Sequence, residues 1–385
     1  MILWLGSCAA ACANGGAPTN GPSRSPPPVA GAGPAAASAT PSAAPTPSAA
    51  PSVAASANPR SFESEKVEVH EQAMGTTVAF IAYPNEHADP AATRAAITRA
   101  LDEMRRLETI LSEWRPDSEI GRVNASPGQW VSVGPEALEV IQKGLWAGKM
   151  SGGVFDITFQ AMKGLWKFGS AQEANPKPPS PAAVAAARTH IDYRKVEVSE
   201  ADHRVRLGKG QQMGLGGIAK GYIVDRAARV LRDAGLDAFL VQAGGDLYGA
   251  GHKPDGSHWV SGIQDPRAAL GTYFAVIELE DHAFSTAGDY ARSYVVGGKR
   301  YHHIIDPRTG YPATASRSVT VWAPDAFIAD AIDDAVFILG PKKGLELVAS
   351  LDGVGVVIVD EKNKVWVSPR LEGKVQILAQ PTDGL

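Results

Sequence analysis

Cysteine is nearly absent from this chain of 385 residues. Its two cysteines, Cys8 and Cys12, both lie close to the start of the sequence. The rest of the chain therefore has no internal disulfide and no cysteine-ligated metal site. A cysteine-free body suits an oxidising compartment, although chance explains the absence almost as well.

Runs of basic residues are also missing. The chain carries 37 Lys and Arg residues against 41 Asp and Glu, which gives a formal net charge of -4. Nucleic-acid binding is therefore not indicated, and a polyphosphate ligand would need a local device such as a metal ion or a helix N-terminus. With 44% hydrophobic and 20% charged residues, most of the chain can still bury a core.

Long apolar runs are missing as well, since no segment has the ~20 apolar residues that a membrane-spanning helix needs. The chain does begin with a short apolar run that ends in LGSC at residues 5–8, which resembles a bacterial lipobox whose cysteine carries lipid. The usual positive n-region is missing, so a plain cleaved signal peptide or an unstructured apolar start is the alternative. Cys12 is a second candidate for the lipid. We expect residues 1–12 to form a signal or lipobox segment that anchors the protein at the periplasmic face of a bacterial membrane.

The next segment, residues 13–60, consists almost entirely of Ala, Pro, Ser, Gly and Thr, with Arg24 and Arg60 as its charges. Such a composition cannot bury enough apolar surface to order itself. It predicts a disordered tether that holds a folded body away from a surface.

The folded domain is predicted over residues 61–385. Alternating β-branched residues at 66–83 predict strands, interrupted at Met74. Helical spacing over residues 89–114 predicts a helix with Asp89 as its N-cap, and residues 194–210 read as a β-hairpin. Because hairpins and helices mix without a regular βαβ rhythm, the fold class is α+β, a single domain of mixed or antiparallel sheets with flanking helices.

A glycine-rich turn, GLGGIAKG at residues 214–221, opens a predicted helix. Free backbone N–H groups and the positive helix end favour a phosphate there, and glycines allow a ligand to approach closely. Tight helix packing is the alternative reading. Lys220 is either a partner for a phosphate or a solvated surface charge.

A predicted helix at residues 327–340 carries Asp330, Asp333 and Asp334. Residues at i, i+3 and i+4 share one helix face, where three carboxylates repel one another. Mg²⁺, which accepts carboxylate and carbonyl oxygens, would remove that repulsion. The alternative is that Asp330 caps the helix while Asp333 or Asp334 faces solvent.

Three further residues are candidates on local evidence. His303 precedes a sharp turn and is either a general base near neutral pH or an ordinary core or surface histidine. Asp156 lies among apolar residues and is either a ligand group or a helix cap. Trp114 lies in a turn-rich connection, where a tryptophan is more often core than a stacking surface.

The order of these motifs resembles one family, the FAD:protein FMN transferases, also called the ApbE family. Eight segments spread over residues 65–370 carry the resemblance: MGT (74–76), LSEWRPDSEIGRVN (111–124), GVFDIT (153–158), GLGGIAKGYIVD (214–225), VQAGGDLYGAG (241–251), STAGDYARSY (285–294), HHIIDPRTG (302–310) and APDAFIADAIDDAVFILG (323–340).

The resemblance implies an enzyme that transfers the FMN half of FAD to a threonine hydroxyl of a target protein, such as a redox-pump subunit, and releases AMP in a Mg²⁺-dependent reaction. Two alternatives remain open. One is Mg²⁺-dependent hydrolysis of FAD to FMN and AMP, and the other is a tethered flavin-binding lipoprotein without chemistry.

The resemblance also assigns roles to particular positions. It makes His303 the base, and it places the metal at the helix of the three aspartates together with the carbonyl of Gly217. The positions that fall where the family contacts FAD are Met74, Trp114, Val154, Phe155, Asp156, Lys220 and Ile304. The metal ligands are Gly217, Asp330, Asp333 and Asp334.

Three positions depart from the family's pattern. The family usually has Asp where Gly214 stands, so one polar contact is lost here. It usually has Thr where Asp334 stands, so this chain carries an extra negative charge beside the metal. It often has Ser where Ala287 stands.

Overall fold

The computed structural model describes residues 66–168 and 177–384. The predicted signal segment and tether, and the first five residues of the predicted folded domain, lie outside this part of the chain. In the described part, every helix is too short or too polar to cross a membrane.

The helices begin at residues that the sequence marks well. Asp89 accepts a hydrogen bond from Ala92 N and starts the first helix, as predicted, because its carboxylate satisfies an N–H group that has no partner inside the helix. The α-helices are α1 (Pro90–Leu111), α2 (Glu119–Ala125), α3 (Pro135–Met150), α4 (Pro181–Arg188), α5 (Ala219–Asp233) and α6 (Ala326–Ala349).

The strands form one large sheet and several small ones. They are β1 (Val67–Ala73), β2 (Thr76–Ala82), β3 (Val131–Ser132), β4 (Glu197–Ser199), β5 (Arg204–Arg206), β6 (Phe239–Ala243), β7 (Asp246–Ala250), β8 (Trp259–Gln264), β9 (Tyr273–Leu279), β10 (His282–Gly288), β11 (Ser293–Val296), β12 (Lys299–His302), β13 (Ile305–Asp306), β14 (Tyr311–Pro312), β15 (Ser316–Ala323), β16 (Gly355–Asp360), β17 (Val365–Val367) and β18 (Val375–Ile377). The large sheet has the order β1-β2-β6-β7-β10-β15-β16-β17, and every neighbouring pair in it is antiparallel.

The large sheet is covered on both faces, which explains why its central strands are almost wholly apolar. Side chains alternate between the two faces of a strand: Phe239 and Val241 of β6 pack with α1, α3, α5 and α6. Leu240, between them, packs with β8 and β9 of the three-stranded sheet β18-β9-β8. The result is three layers, helices over an eight-stranded sheet over a small sheet, which confirms the predicted α+β class.

The first connection, between β1 and β2, is a two-residue turn. Both of its residues have positive φ, 53° at Met74 and 67° at Gly75, as a tight hairpin turn with the twist of its strands requires. Met74 N donates to Glu108 Oε2 of α1 at 3.0 Å. The interruption that the sequence predicts at this point is therefore a hairpin turn held against a helix.

Helix α6 consists of two segments. Gly340 has φ 73° and ψ -178°, and Pro341 follows it, so the helix bends at these two residues because proline cannot complete the preceding hydrogen-bond ladder. The segment before the bend carries the three aspartates and packs against α5, β10 and β15. This packing places the acidic face between the helical layer and the large sheet.

Contact between α5 and α6 depends on the absence of a side chain at Gly221. A Cβ atom at this position would lie 2.1 Å from Ala326 O and 2.8 Å from Asp330 Cβ. The two helices approach each other so closely that only glycine fits.

Gly221→Ala is expected to lower the free energy of unfolding by roughly 1–3 kcal/mol, the usual penalty for an overpacked core. Gly216→Ala is the matched control, because a Cβ there would meet its nearest neighbour, Glu113 Oε1, at an ordinary 3.4 Å. Denaturant unfolding of the two variants checks this. Equal stability of both variants would show that α5 and α6 are not in the tight contact described here.

Candidate functional site

The residues with unusual electrostatics come together where α5, α6, β7 and β10 meet. Lys220 lies in the first turn of α5, Asp246 is the first residue of β7, and Ser285 lies on β10. Asp330 and Asp333 project from α6 and are both buried. Four separate segments of the sequence thus build one acidic cluster, which we define as Lys220, Asp246, Ser285, Asp330, Asp333 and Asp334.

Lys220 is the cation of the acidic cluster. Its Nζ lies 2.7 Å from Asp246 Oδ2 and 3.5 Å from Asp330 Oδ1. Burial alone would lower the pKa of Lys220, but the charges of Asp246 and Asp330 outweigh it and raise that pKa above its ordinary value. Lys220 is therefore a partly buried ion-pair partner, and the reading of this residue as a solvated surface charge is wrong.

Asp330 is held by the start of α5 as well as by Lys220. Its Oδ2 accepts a hydrogen bond from Gly221 N at 2.8 Å, one of the free N–H groups at a helix N-terminus. The glycine-rich turn thus offers its helix end to a carboxylate of the protein itself. The reading of the turn as tight helix packing is confirmed by its contact with α6, and its role as a phosphate site stays a prediction.

Ser285 links two carboxylates. Its Oγ lies 2.6 Å from Asp246 Oδ1 and 2.7 Å from Asp333 Oδ2. A hydroxyl has one hydrogen to donate, so it satisfies one of these oxygens, and the other carboxyl must carry a proton or face a cation. Burial, together with the charges of Asp334 and Asp330, raises the pKa of Asp333 well above its ordinary value.

Asp334 faces the glycine-rich turn. A Cβ atom added at Gly217 would lie 3.1 Å from Asp334 Oδ2 and 3.4 Å from Phe155 Cε2, so residue 217 lies next to both the acidic face of α6 and the segment around Phe155. Burial raises the pKa of Asp334 to about 6. The structure thus places Gly217 beside an aspartate, as the proposed set of metal ligands requires.

The acidic cluster has the donor chemistry of a magnesium site. It offers four carboxyl groups against one ammonium group, so most of its negative charge lacks a cationic partner when the carboxyls are ionised. Oxygen donors of this kind suit a hard divalent cation. A bound cation would also remove the need for a proton on one of the two carboxyl groups that share the Ser285 hydroxyl. Within residues 66–168 and 177–384, no three carboxyl groups of the acidic cluster bring ligand oxygens within 4.8 Å of one another.

The alternative in which Asp330 caps α6 and Asp333 faces solvent is wrong, whereas Asp334 is partly exposed. The N-cap of α6 is Asp325, whose side chain accepts from Ile328 N. Asp225 of α5 adds a second cap by accepting from Ala326 N and Phe327 N at 2.9 Å each, and burial raises its pKa to about 7. Asp330 lies beyond the first turn, and Asp333 is buried, so neither is a cap or a solvated charge.

His303 differs from the histidine beside it. His302 is buried and its Nε2 pairs with Ala313 O at 2.8 Å, which is a structural role. His303 Nδ1 is buried and has no hydrogen-bond partner among the described residues. Burial and the nearby positive charge of Arg292 lower the pKa of His303 to about 3, with a smaller effect from Lys220. Its ring is therefore neutral at physiological pH, the state in which it can accept a proton.

The segment around Phe155 lines the same region, but its carboxylate, that of Asp156, is already used in hydrogen bonds to the protein. Val154 and Phe155 are buried. Asp156 accepts hydrogen bonds from Thr158 N, Thr158 Oγ1 and Tyr193 N and caps the 3-10 helix at Ile157–Met162. Of the two readings of Asp156, the structure shows the cap.

Trp114 is a surface residue rather than a core one. Its side chain is 70% exposed, and Lys163 Nζ lies 4.4 Å from the ring centroid, a cation–π distance. The preceding residue, Glu113, approaches the position of a Cβ at Gly216. An exposed indole beside the glycine-rich turn is available for stacking, so the expectation that Trp114 belongs to the core is wrong.

Ile304 and Met74 lie at the margin of the same region. Ile304, buried beside His303, accepts from Ala313 N. The turn at Met74 adjoins the β6–β7 connection, where Gly244 N donates to Thr77 O, two residues before Asp246.

The side chain of Gln160 lies where a side chain at residue 214 would be. A Cβ there would lie 3.0 Å from Gln160 Oε1, and Gln160 Nε2 is buried without a partner among the described residues. The polar group that this chain lacks at residue 214 is thus partly replaced by a buried amide.

Two members of the acidic cluster were not predicted as site residues. Asp246 and Ser285 lie in segments that carry the family resemblance, but a single aspartate after two glycines and a single serine in a strand give no periodic signal. Their roles depend on the pairing of β10 with β7, which joins residues far apart in sequence.

Asp333→Asn, which mimics a protonated carboxyl, tests the electrostatics of the cluster. The folded protein keeps a proton on Asp333 that the unfolded chain loses near its ordinary pKa of 3.8. In EDTA, the free energy of unfolding of the wild type should therefore fall relative to that of Asp333→Asn. The expected fall is about 1.4 kcal/mol for each pH unit above the ordinary pKa. Denaturant unfolding between pH 4 and 7 measures the difference, with exposed Asp352→Asn as control. A pH-independent difference between wild type and Asp333→Asn would contradict the raised pKa.

Comparison with known proteins places this geometry in context. A family model described as ApbE family matches residues 74–358. The chain is 33% identical over 306 residues to a FAD:protein FMN transferase of Treponema pallidum, covering 75% of this chain and 84% of that protein. It is 32% identical over 275 residues to the FAD:protein FMN transferase of Escherichia coli K12, covering 69% and 77%.

Solved structures are similar to this one as well. The ApbE protein of Thermotoga maritima superposes with a TM-score of 0.73 at 33% identity, over 80% of this chain and 99% of that one. The flavin transferase ApbE of Vibrio cholerae superposes with a TM-score of 0.70 at 25% identity, over 80% and 99%. With the family model spanning the glycine-rich turn, His303 and the acidic helix, this chain belongs to the ApbE family.

Proposed function

We propose that this protein transfers the FMN moiety of FAD to a threonine hydroxyl of a target protein and releases AMP, with Mg²⁺ held by the acidic cluster. The relatives named FAD:protein FMN transferase support the reaction and its substrate. The observation that carries the proposal is the acidic cluster, in which four carboxyl groups, three of them buried, share one lysine that pairs with Asp246 and Asp330 beside a glycine-rich turn.

The metal ligands in this proposal are Asp330, Asp333 and Asp334 with the carbonyl oxygen of Gly217. Bound Mg²⁺ supplies positive charge that neutralises the FAD pyrophosphate and orients it for attack. Asp246 and Lys220 fix the position of Asp330, and Ser285 fixes that of Asp333. These contacts hold the Asp330 and Asp333 side chains before the substrate arrives.

His303 is the base for the threonine hydroxyl. Its neutral ring has a free nitrogen, and it lies close enough to Lys220 for the two to interact electrostatically. Burial is the main cause of its low pKa; binding of an anionic substrate would counter the smaller contribution, the positive field of Arg292 and Lys220. The ring would then become a stronger base at the moment when a threonine hydroxyl must lose its proton.

The flavin and adenine groups are assigned to the surrounding residues. The exposed ring of Trp114 covers one aromatic face by stacking. Buried Val154, Phe155 and Ile304 form apolar walls, and Met74 and Lys220 complete the pocket. Asp156 shapes the wall by capping the segment that holds Phe155.

The target and its location follow from the N-terminal sequence and the family. The target is a protein with an accessible threonine, such as a subunit of a membrane redox pump. The predicted lipid on Cys8 and the tether would hold the enzyme at the periplasmic face of a bacterial membrane, within reach of such a subunit.

Incubation with FAD, Mg²⁺ and a threonine-bearing target peptide separates this function from its alternatives. Flavin covalently attached to the peptide, detected by mass spectrometry together with AMP, is the expected result. Free FMN and AMP without labelled peptide would indicate FAD hydrolysis. Intact FAD that stays bound would indicate a flavin-binding protein and would overturn the proposed transfer.

His303→Ala should lower the rate of transfer by about 10²–10⁴-fold, the usual effect of removing a general base, while FAD still binds. The matched control is His302→Gln, which can still donate to Ala313 O and should keep near-normal activity. Rates come from AMP release, and binding comes from flavin fluorescence. Normal transfer by His303→Ala would refute the assignment of the base.

Asp330→Asn should raise the Mg²⁺ concentration needed for half-maximal FAD binding by at least about tenfold, since losing a supporting contact already costs a metal site that much. Exposed Asp352→Asn serves as control. Mg²⁺ titrations monitored by flavin fluorescence give both midpoints. The same midpoint in both variants would remove Asp330 from the metal site.

A further inference from the structure

A second polar cluster lies away from the acidic cluster, in the loops that lead into and out of β8 and β9. His252 follows β7, His258 immediately precedes β8, and Glu280 follows β9. We propose that these three side chains bind a divalent transition metal ion of the Zn²⁺ type.

The distances between the three side chains fit one metal ion. His252 Nε2 lies 3.3 Å from Glu280 Oε1, and His258 Nδ1 lies 3.5 Å from Glu280 Oε2. All three ligand atoms lie within 4.8 Å of one another. Ligands at 2.0–2.1 Å in a tetrahedron are about 3.3 Å apart, which is close to the separation of each histidine from its nearer Glu280 oxygen.

The cluster stands out against the rest of the described chain. Among residues 66–168 and 177–384 it is the one group of three His, Cys, Asp or Glu side chains that meets this distance condition. The two imidazoles lie side by side, with ring centroids 4.7 Å apart. Both rings lie close to one carboxylate, which is the convergence a metal site needs.

The backbone that carries the two histidines is braced. Lys253 N donates to Ser257 O, and Gly256 N donates to Lys253 O. Asp255 Oδ1 accepts from both N and Oγ of Ser257. The fully buried Trp259, next to His258, anchors the far end of the loop by donating from Nε1 to Ala250 O.

The carboxylate side is braced too. Gly251 N, next to His252, donates to Asp281 Oδ1, which also pairs with Arg232 Nη2. The backbone carbonyl of Glu280 lies 2.7 Å from His282 Nδ1, and the ring of His282 stacks on Trp322 at 3.8 Å. Fixed backbone positions on both sides reduce the ordering cost of binding an ion.

Imidazole nitrogen and carboxylate oxygen select the kind of ion. Two nitrogens with one oxygen suit Zn²⁺, Ni²⁺ or Cu²⁺ and disfavour Mg²⁺, which prefers oxygen ligands alone. The acidic cluster offers oxygen donors, so the two sites differ in the ions that they accept. The side chains are 42%, 41% and 47% exposed, which leaves coordination positions open to water or to a further ligand.

The test is a Zn²⁺ titration of the full chain at pH 8 with saturating Mg²⁺, which occupies the acidic cluster. Isothermal calorimetry should give one Zn²⁺ equivalent, and His252→Ala and His258→Ala should each lower its affinity by at least about tenfold. Co²⁺ in place of Zn²⁺ should give the visible absorption bands of a low-coordinate site in the wild type only. Zn²⁺ should also raise the Tm of the wild type and not that of His258→Ala.

His70→Ala is the matched control. His70 forms a similar exposed pair with Glu68, at 2.8 Å, but among the described residues no second histidine completes a group of three there. Its Zn²⁺ affinity should equal that of the wild type. Asp333→Asn, which changes only the acidic cluster, should still bind one equivalent of Zn²⁺. Absence of Zn²⁺ binding under saturating Mg²⁺, or binding that both histidine substitutions leave unchanged, would overturn the proposal.

Discussion

The site depends on four carboxyl groups gathered around a single lysine. Water would solvate those charges at little cost, but at the junction of α5, α6, β7 and β10 three of the carboxyl groups, those of Asp246, Asp330 and Asp333, are buried, and that of Asp334 is partly buried. Such an arrangement is costly for charged groups. It persists because Lys220 neutralises one carboxylate, Gly221 N and Ser285 Oγ donate to others, and the raised pKa of Asp333 lets a proton remain where no cation is bound.

That constraint explains several local features. Gly221 must be glycine because α5 and α6 touch at that residue, and this contact brings the N–H groups of α5 to Asp330. Asp225 and Asp325 take over the capping of α6, which leaves Asp330, Asp333 and Asp334 for the interior face. The protein thus uses separate aspartates for helix stability and for the site, so the acidic run is not a by-product of capping.

Much of the fold was predictable from local signals. The cap at Asp89, the hairpin at residues 194–210 and the turn at Met74 are set by neighbouring residues in the sequence, and the structure contains all three. The acidic face of α6 followed from its i, i+3, i+4 spacing. The exposure of Trp114 was not predictable, because composition favours burial for tryptophan and only the tertiary fold leaves this ring uncovered. Asp246 and Ser285 were missed since strand pairing, which no local pattern records, brings them to α6.

The central claim is that the acidic cluster holds a divalent cation against the FAD pyrophosphate. The most direct measurement is the anomalous X-ray signal of Mn²⁺, substituted for Mg²⁺, in crystals grown with FAD. The account predicts a peak bonded to carboxylate oxygens of α6 and to the carbonyl oxygen of Gly217, with the phosphates of FAD as its other neighbours. A bound FAD whose phosphates have no ion, with Asp333 still hydrogen-bonded to Ser285 as in this structure, would contradict it.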